Sequence, residues 1–122
     1  MILTYKIKHE KDFGRELKLA KKVAKFAIHS KSISSADVKH IGLKSIISNQ
    51  ILRKYSRSET IKNVKSVKLT IPNQGVKVRD EQIYIPCLKL WLNIHFDKDF
   101  EKINQVEVDE DFAYVSVSYK EP

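Results

Sequence analysis

The chain is poor in several residues that specialised sites require. Its 122 residues include one cysteine, three glycines, three prolines, one methionine and one tryptophan. The lone Cys87 excludes an internal disulfide and reads most simply as a small apolar strand residue. Three glycines cannot build a loop that cradles phosphate with backbone N–H groups, and neither a Walker-type nor a Rossmann spacing occurs. No apolar run approaches the roughly 20 residues of a membrane-spanning helix. Met1-Ile2-Leu3 leads into Lys6 and Lys8 rather than into a signal-peptide core, so a cytoplasmic protein with no membrane partner is expected.

Metal and catalytic chemistry are equally short of candidates. His9, His29, His40 and His95 form no short ligand pair, and Cys87 has no partner cysteine. On one strand Cys87 and His95 would stand roughly 26 Å apart, too far to share an ion. Neither an elbow nor an oxyanion loop accompanies Cys87 to make it a nucleophile. The acidic residues Asp97, Asp99, Glu101, Glu107, Asp109, Glu110 and Asp111 could be read as a magnesium site. Their better reading is a hairpin turn at Asp109–Asp111, with the others on a loop or an outer strand face. No cofactor, no metal and no enzymatic activity are expected.

What the chain does have is charge, unevenly placed. Residues 1–96 carry 20 Lys/Arg against 7 Asp/Glu, a net of +13, whereas residues 97–122 carry 3 against 8, a net of −5. A basic body of this kind points to a polyanion as partner. A lysine-rich surface that serves only solubility, as in thermophile proteins, is the competing explanation. With 42% hydrophobic and 31% charged residues, the composition is that of a globular protein, and its length suits one domain over 1–122.

Residues 1–9 alternate, with Leu3, Tyr5 and Ile7 on one face, and predict a first strand. A helical insertion is expected over 10–58. Asp12 is a plausible N-cap, and Phe13, Leu17, Ala20, Ala24 and Ala27 recur at helical steps to about His29. Lys11, Arg15, Lys18, Lys22, Lys25 and His29 follow the same steps about 200° round the helix, so one face packs and the opposite face is a cationic rail about 27 Å long. A linker follows, and Ser34 with Asp37 fits a capping box. The second helical stretch runs to about Tyr55, broken near Gly42. Its apolar residues spread round most of the wheel and leave a polar wedge at Lys39, Gln50, Arg53 and Arg57.

Residues 64–119 alternate almost throughout. Turns are expected at Pro72–Gly75, Arg79–Gln82 and Asp109–Asp111, and a loop at Asp97–Lys102. Leu88, Leu90, Leu92, Ile94 and Phe96 make the clearest core face, with Cys87, Lys89, Trp91, Asn93 and His95 opposite. The expected fold is therefore α+β: a small antiparallel, barrel-like (OB-like) sheet with two helices inserted after its first strand.

The rail is spaced to neutralise a nucleic-acid backbone, which gives affinity without sequence preference. Lys39, Arg53, Lys54 and Arg57 extend the basic surface onto the second helix, and Lys65, Lys68, Asn73, Gln74 and Lys77 add a patch on the sheet side. Trp91 and Tyr84 have the chemistry of base-stacking platforms. A strand lying under helices needs a second apolar face, however, and this places Trp91 beneath the helical insertion.

The order of segments then resembles a known family. Ile2–His9 resembles the opening strand of the OrfB/TnpB family of transposon-encoded RNA-guided endonucleases, relatives of type V CRISPR effectors. Leu43-Lys44-Ser45 and Asn49–Lys54 resemble its helix with a Ser, a Gln and an aliphatic-Arg run. Val67–Pro72 and Ile85–Leu90 resemble its central strands, and Gln105–Tyr119 the hairpin that precedes its nuclease domain. The resemblance implies the family's amino-terminal part, an oligonucleotide-binding-type barrel with a helical recognition segment, which holds guide RNA and its duplex with target DNA. By that analogy Lys11, Arg15, Lys18, Lys22, Lys25, Lys39, Arg53, Arg57, Lys65, Lys68 and Lys77 are backbone contacts; Asn73, Gln74, Tyr84 and Trp91 are further candidates that no family motif pins. The opening strand lacks the proline many members carry after it, the helical segment is short, and the catalytic acids of the RuvC-like domain have no counterparts.

The expected function is thus non-catalytic nucleic-acid binding, with guide-like RNA or DNA as partner. A protein-interaction or dimerisation module, pairing as a homodimer through a sheet edge, is the first rival. A small enzyme using Cys87 or a histidine is the second.

Overall fold

A computed structural model describes residues 1–30, 35–56 and 67–120. The expected capping Ser34, Arg57 and Lys65 lie outside the described residues. Strand β1 (Ile2–Lys8) is followed by helix α1 (Gly14–Ser30), a 3-10 turn (Ser35–Ile41) and helix α2 (Ser45–Ser56). The remaining strands are β2 (Leu69–Pro72), β3 (Lys77–Arg79), β4 (Gln82–Ile85), β5 (Leu90–Asn93), β6 (Phe100–Val108) and β7 (Phe112–Tyr119). The architecture is α+β, two helices with antiparallel sheets. Among the described residues the strands form two sheets, ordered β1-β7-β6-β2 and β3-β4-β5, and no closed barrel.

Helix α1 starts where local polar chemistry permits. Asp12 Oδ1 accepts the Gly14 N–H at 2.9 Å, satisfying one donor of the first turn, and the Leu17 N–H donates to the Phe13 carbonyl at 2.8 Å. Ala20, Val23, Ala24 and Ala27 are fully buried, and such small side chains let α1 lie close against α2. Gly42 sits at φ 91°, a left-handed conformation that separates the 3-10 turn from α2. Helix α2 buries Ile47, Ile51, Leu52 and Tyr55. Gly75 allows the approach of its amino end to the sheet: a Cβ there would meet Ile71 Cγ2 at 2.7 Å and Ile46 Cδ1 at 2.9 Å.

The four-stranded sheet has one apolar and one polar face. Leu3, Tyr5 and Ile7 pair with Val117, Val115 and Ala113, while Leu69 and Ile71 pair with Val108 and Val106. Except for Leu3, which is exposed at the sheet edge, these share the inner face with α1, α2 and the apolar side of the three-stranded sheet, where Ile83, Ile85, Leu90 and Leu92 are buried, in a single core. At the edge, the Tyr5 and Tyr119 hydroxyls are hydrogen-bonded to each other. Among the described residues no helix is long and apolar enough to cross a membrane.

Three local expectations need correction. The segment 97–102 is not all loop, because β6 begins at Phe100 and is nine residues long. Bulges between Phe100 and Lys102 and between Ile103 and Gln105 break the alternation, so Ile103 and Val106 both face inward and hide the strand's period. The core face from Leu88 to Phe96 is not one strand: Pro86–Leu88 is a 3-10 turn, Lys89 adopts φ 51°, and only Leu90–Asn93 is extended. Cys87 therefore lies in a turn, not a strand. Finally, Trp91 is not beneath the helices; it is 49% exposed.

Candidate nucleic-acid interface

The cationic rail follows from the periodicity of α1. With Ala20, Ala24 and Ala27 turned to the core, residues about half a turn away must face solvent, and Arg15, Lys18, Lys22, Lys25 and His29 are all exposed. Lys11 is exposed too, but precedes the helix, and its backbone N–H donates to His9 Nδ1 at 3.0 Å. Among the described residues the rail cations form no ion pair; the one pair there is His95 with Glu81, at 3.1 Å.

The amino end of the rail opens onto a cleft of about 490 Å³ that also holds the acidic turn. Lys18, Lys21 and Lys68 line it together with Asp109, Glu110 and Asp111. The acidic hairpin thus meets the basic helix in space, although the two belong to opposite parts of the charge distribution along the sequence. His9 explains the juxtaposition. It is buried, its backbone N–H donates to the Asp111 carbonyl at 3.1 Å, and its Nε2 lies 2.9 Å from the Asp109 carbonyl. With Nδ1 accepting from the Lys11 N–H, Nε2 is the donor to the Asp109 carbonyl, and the ring ties the entry of α1 to the hairpin turn.

Asp109 is the structural centre of that turn. Its Oδ1 accepts the Asp111 N–H at 2.9 Å and the Phe112 N–H at 2.7 Å, and its Oδ2 accepts the Tyr114 hydroxyl at 2.9 Å. Burial alone would raise this carboxyl, but the N–H groups of Phe112 and Asp111, the Tyr114 hydroxyl and the Lys68 charge together hold it below the usual carboxylate range. The same hydrogen bond pushes the Tyr114 phenol upward. Lys68 Nζ lies 4.3 Å from the Tyr114 ring centre, a cation–π contact.

The remaining basic positions are distributed over other faces. Arg53 is exposed on α2 and lines a second cleft of about 360 Å³ with Gln50 and Lys54, facing Thr70, Gln105 and Glu107. Lys39 is exposed on the 3-10 turn before α2. Asn73 is exposed, but its amide donates to the Ile103 carbonyl at 2.7 Å and so holds the turn after β2. Gln74 is exposed beside it. Lys77 is on β3, directly across from Tyr84.

The basic residues that sequence reasoning passed over are Lys21 and Arg79. Lys21 sits at the boundary of the rail, half-buried, and reaches the acidic cleft. Arg79 shares the Lys77 face of β3, a signal available from strand parity once the turn after it is fixed. Cys87 is half-buried, and burial pushes its thiol up despite the backbone hydrogen bond and the Lys44 charge that lower it, which is the condition of an unreactive thiol. Among the described residues no three His, Cys, Asp or Glu side chains stand together as a metal site.

No family model, curated protein or solved structure matches the chain.

Proposed function

We propose that this chain is a non-catalytic domain that binds the phosphate backbone of RNA or DNA through the exposed rail of α1. The carrying observation is the rail itself: four cations and a histidine on one helix face, all exposed, opposite a face of buried small apolar residues. Phosphates one after another along a strand suit such a row, and lysine donors without ion-pair partners among the described residues are open to a ligand. The resemblance to the amino-terminal part of OrfB/TnpB-type endonucleases supports the same reading. It suggests structured guide-like RNA as the first ligand to try. An OB-like barrel belongs to this reading as its finer architectural part, and it asks the β3-β4-β5 sheet to close on an edge of the larger one.

The test is salt-dependent binding to structured RNA, single-stranded DNA and duplex DNA. Affinity is expected to fall steeply as salt rises, and changing Lys18, Lys22 and Lys25 to Glu is expected to lower the log–log slope by about three. No binding to any of these ligands at low salt would sink the proposal.

A dimerisation module is the second reading, and one observation favours it. Ile2 and Leu3 are 65% and 39% exposed on β1, an edge strand of the four-stranded sheet. A monomeric mass in sedimentation at high concentration would remove that reading.

A further inference from the structure

The solvent face of the three-stranded sheet carries a surface different in kind from the rail. The two-residue turn at Asp80-Glu81 sets the register of β3 and β4, and that of β5 follows from the next turn. Lys77, Tyr84 and Trp91 consequently form one cross-strand row, and Arg79, Gln82 and Asn93 the adjacent row on the same face. Tyr84 and Trp91 are stacked, with ring centres 4.4 Å apart and planes 26° from parallel. Trp91 is 49% exposed, and β5 is an edge strand, so no neighbouring strand of its sheet covers the outer face of its ring. The Gln82 amide donates to the Asn93 side-chain oxygen at 2.9 Å, which pairs the two amides beside the rings and leaves an acceptor and donors for a ligand.

A single exposed aromatic on a protein surface needs no explanation. A stacked pair on one face with two cations and two amides is a different matter, since apolar rings exposed to water cost free energy that the inner face of the same sheet avoids. Resting on the nucleic-acid reading above, we infer that Trp91, backed by Tyr84, is a stacking platform for an unpaired nucleobase. Lys77 and Arg79 meet the phosphates on either side of that base, and Gln82 and Asn93 lie within the same surface to meet base edges. The charge of the flanking groups fits a polyanion, and planar π-faces fit bases without regard to sequence. Duplex DNA, whose bases are already stacked, would engage the rail and not this face.

Trp91 is the only tryptophan of the chain, so intrinsic fluorescence reads this site alone. The probes are a short oligouridylate, the matching oligothymidylate, an abasic oligonucleotide of equal length and inorganic polyphosphate. Both base-bearing strands are expected to quench Trp91 saturably, whereas the abasic strand and polyphosphate bind without quenching. Changing Trp91 to Leu is expected to weaken single-strand affinity about 5- to 100-fold. Duplex affinity and urea unfolding should stay unchanged. A single strand that binds, by anisotropy, with Trp91 emission untouched would overturn the platform and leave the rail reading intact. Quenching that persists in the Lys18, Lys22 and Lys25 to Glu variant, with duplex binding absent from both proteins, would sustain the platform and overturn the rail. Quenching by an oligosaccharide or a proline-rich peptide, with none by either strand, would assign the face to another partner and overturn the inference.

Discussion

Helix α1 and the β6–β7 hairpin are the basic and acidic ends of the same charge asymmetry, and they meet in one cleft. Their charges stand in different conditions. Arg15, Lys18, Lys22 and Lys25 are exposed and make no ion pair among the described residues. Asp109, by contrast, accepts three hydrogen bonds that shape its own turn. Its field remains, but most of its hydrogen-bonding capacity, three of about four lone-pair sites, is already taken up by the fold. A formal net charge of +8 weights both regions equally, and so understates how much cationic donor capacity is left for a ligand. The acidic turn has a folding role of its own, whereas the rail's side-chain charges form no ion pair among the described residues.

The largest effect expected from this contrast is on stability. Changing Asp109 to Ala strands two backbone N–H groups and the Tyr114 hydroxyl, and should cost about 2 kcal/mol in urea unfolding. Changing Lys22 to Ala should stay within about 0.5 kcal/mol. Equal losses from the two substitutions would break the comparison.

Acid should separate the two regions in the same way. The Asp109 carboxyl lies below its ordinary range in the folded chain, so its contribution to stability is fully present above the unfolded value, near pH 4, and is lost as pH falls through the lower folded value. Part of the acid destabilisation below about pH 4 should therefore vanish when Asp109 becomes Asn. An unchanged acid limb would mean that other carboxylates dominate it.

How far this contrast was legible in the sequence depended on whether a pattern was local. The rail could be read because a helix fixes its faces by counting, and Ala20, Ala24 and Ala27 mark the buried side without any tertiary knowledge. The break at Gly42 and the Asp109–Asp111 turn were legible for the same reason, since conformational preference resides in single residues. The beginning of β6 was not, because two bulges put Ile103 and Val106 on one face at a step of three, which breaks the strand's period of two. Trp91 differs from expectation because parity tells which residues share a face but not which face is covered, and on β5 it is Leu90 and Leu92 that join the core while Trp91 stays outside it. The meeting of rail and acidic turn depends on His9, whose contacts to Asp109 and Asp111 span about a hundred residues of sequence and leave no periodic trace.

The smallest expected effect bears most directly on the shared cleft. Glu110 is exposed and lines the cleft with Lys18 and Lys68, and no hydrogen bond of its side chain holds the turn. Reversing it to Lys should leave stability nearly unchanged while raising rail affinity for duplex by a small factor, about threefold at ~0.1 M salt, where charges within about 10 Å still act on one another. The gain should fade as salt rises and the Debye length shrinks to about 3 Å. Asp99 supplies the control, because it is exposed, carries the same charge, and does not line that cleft. If reversing Asp99 raised affinity as much as reversing Glu110, only net charge would matter, and the proximity of the acidic turn to Lys18 would have no bearing on binding. A gain confined to Glu110 would instead mean that the turn tempers the amino end of the rail, leaving Lys22 and Lys25 as its stronger half.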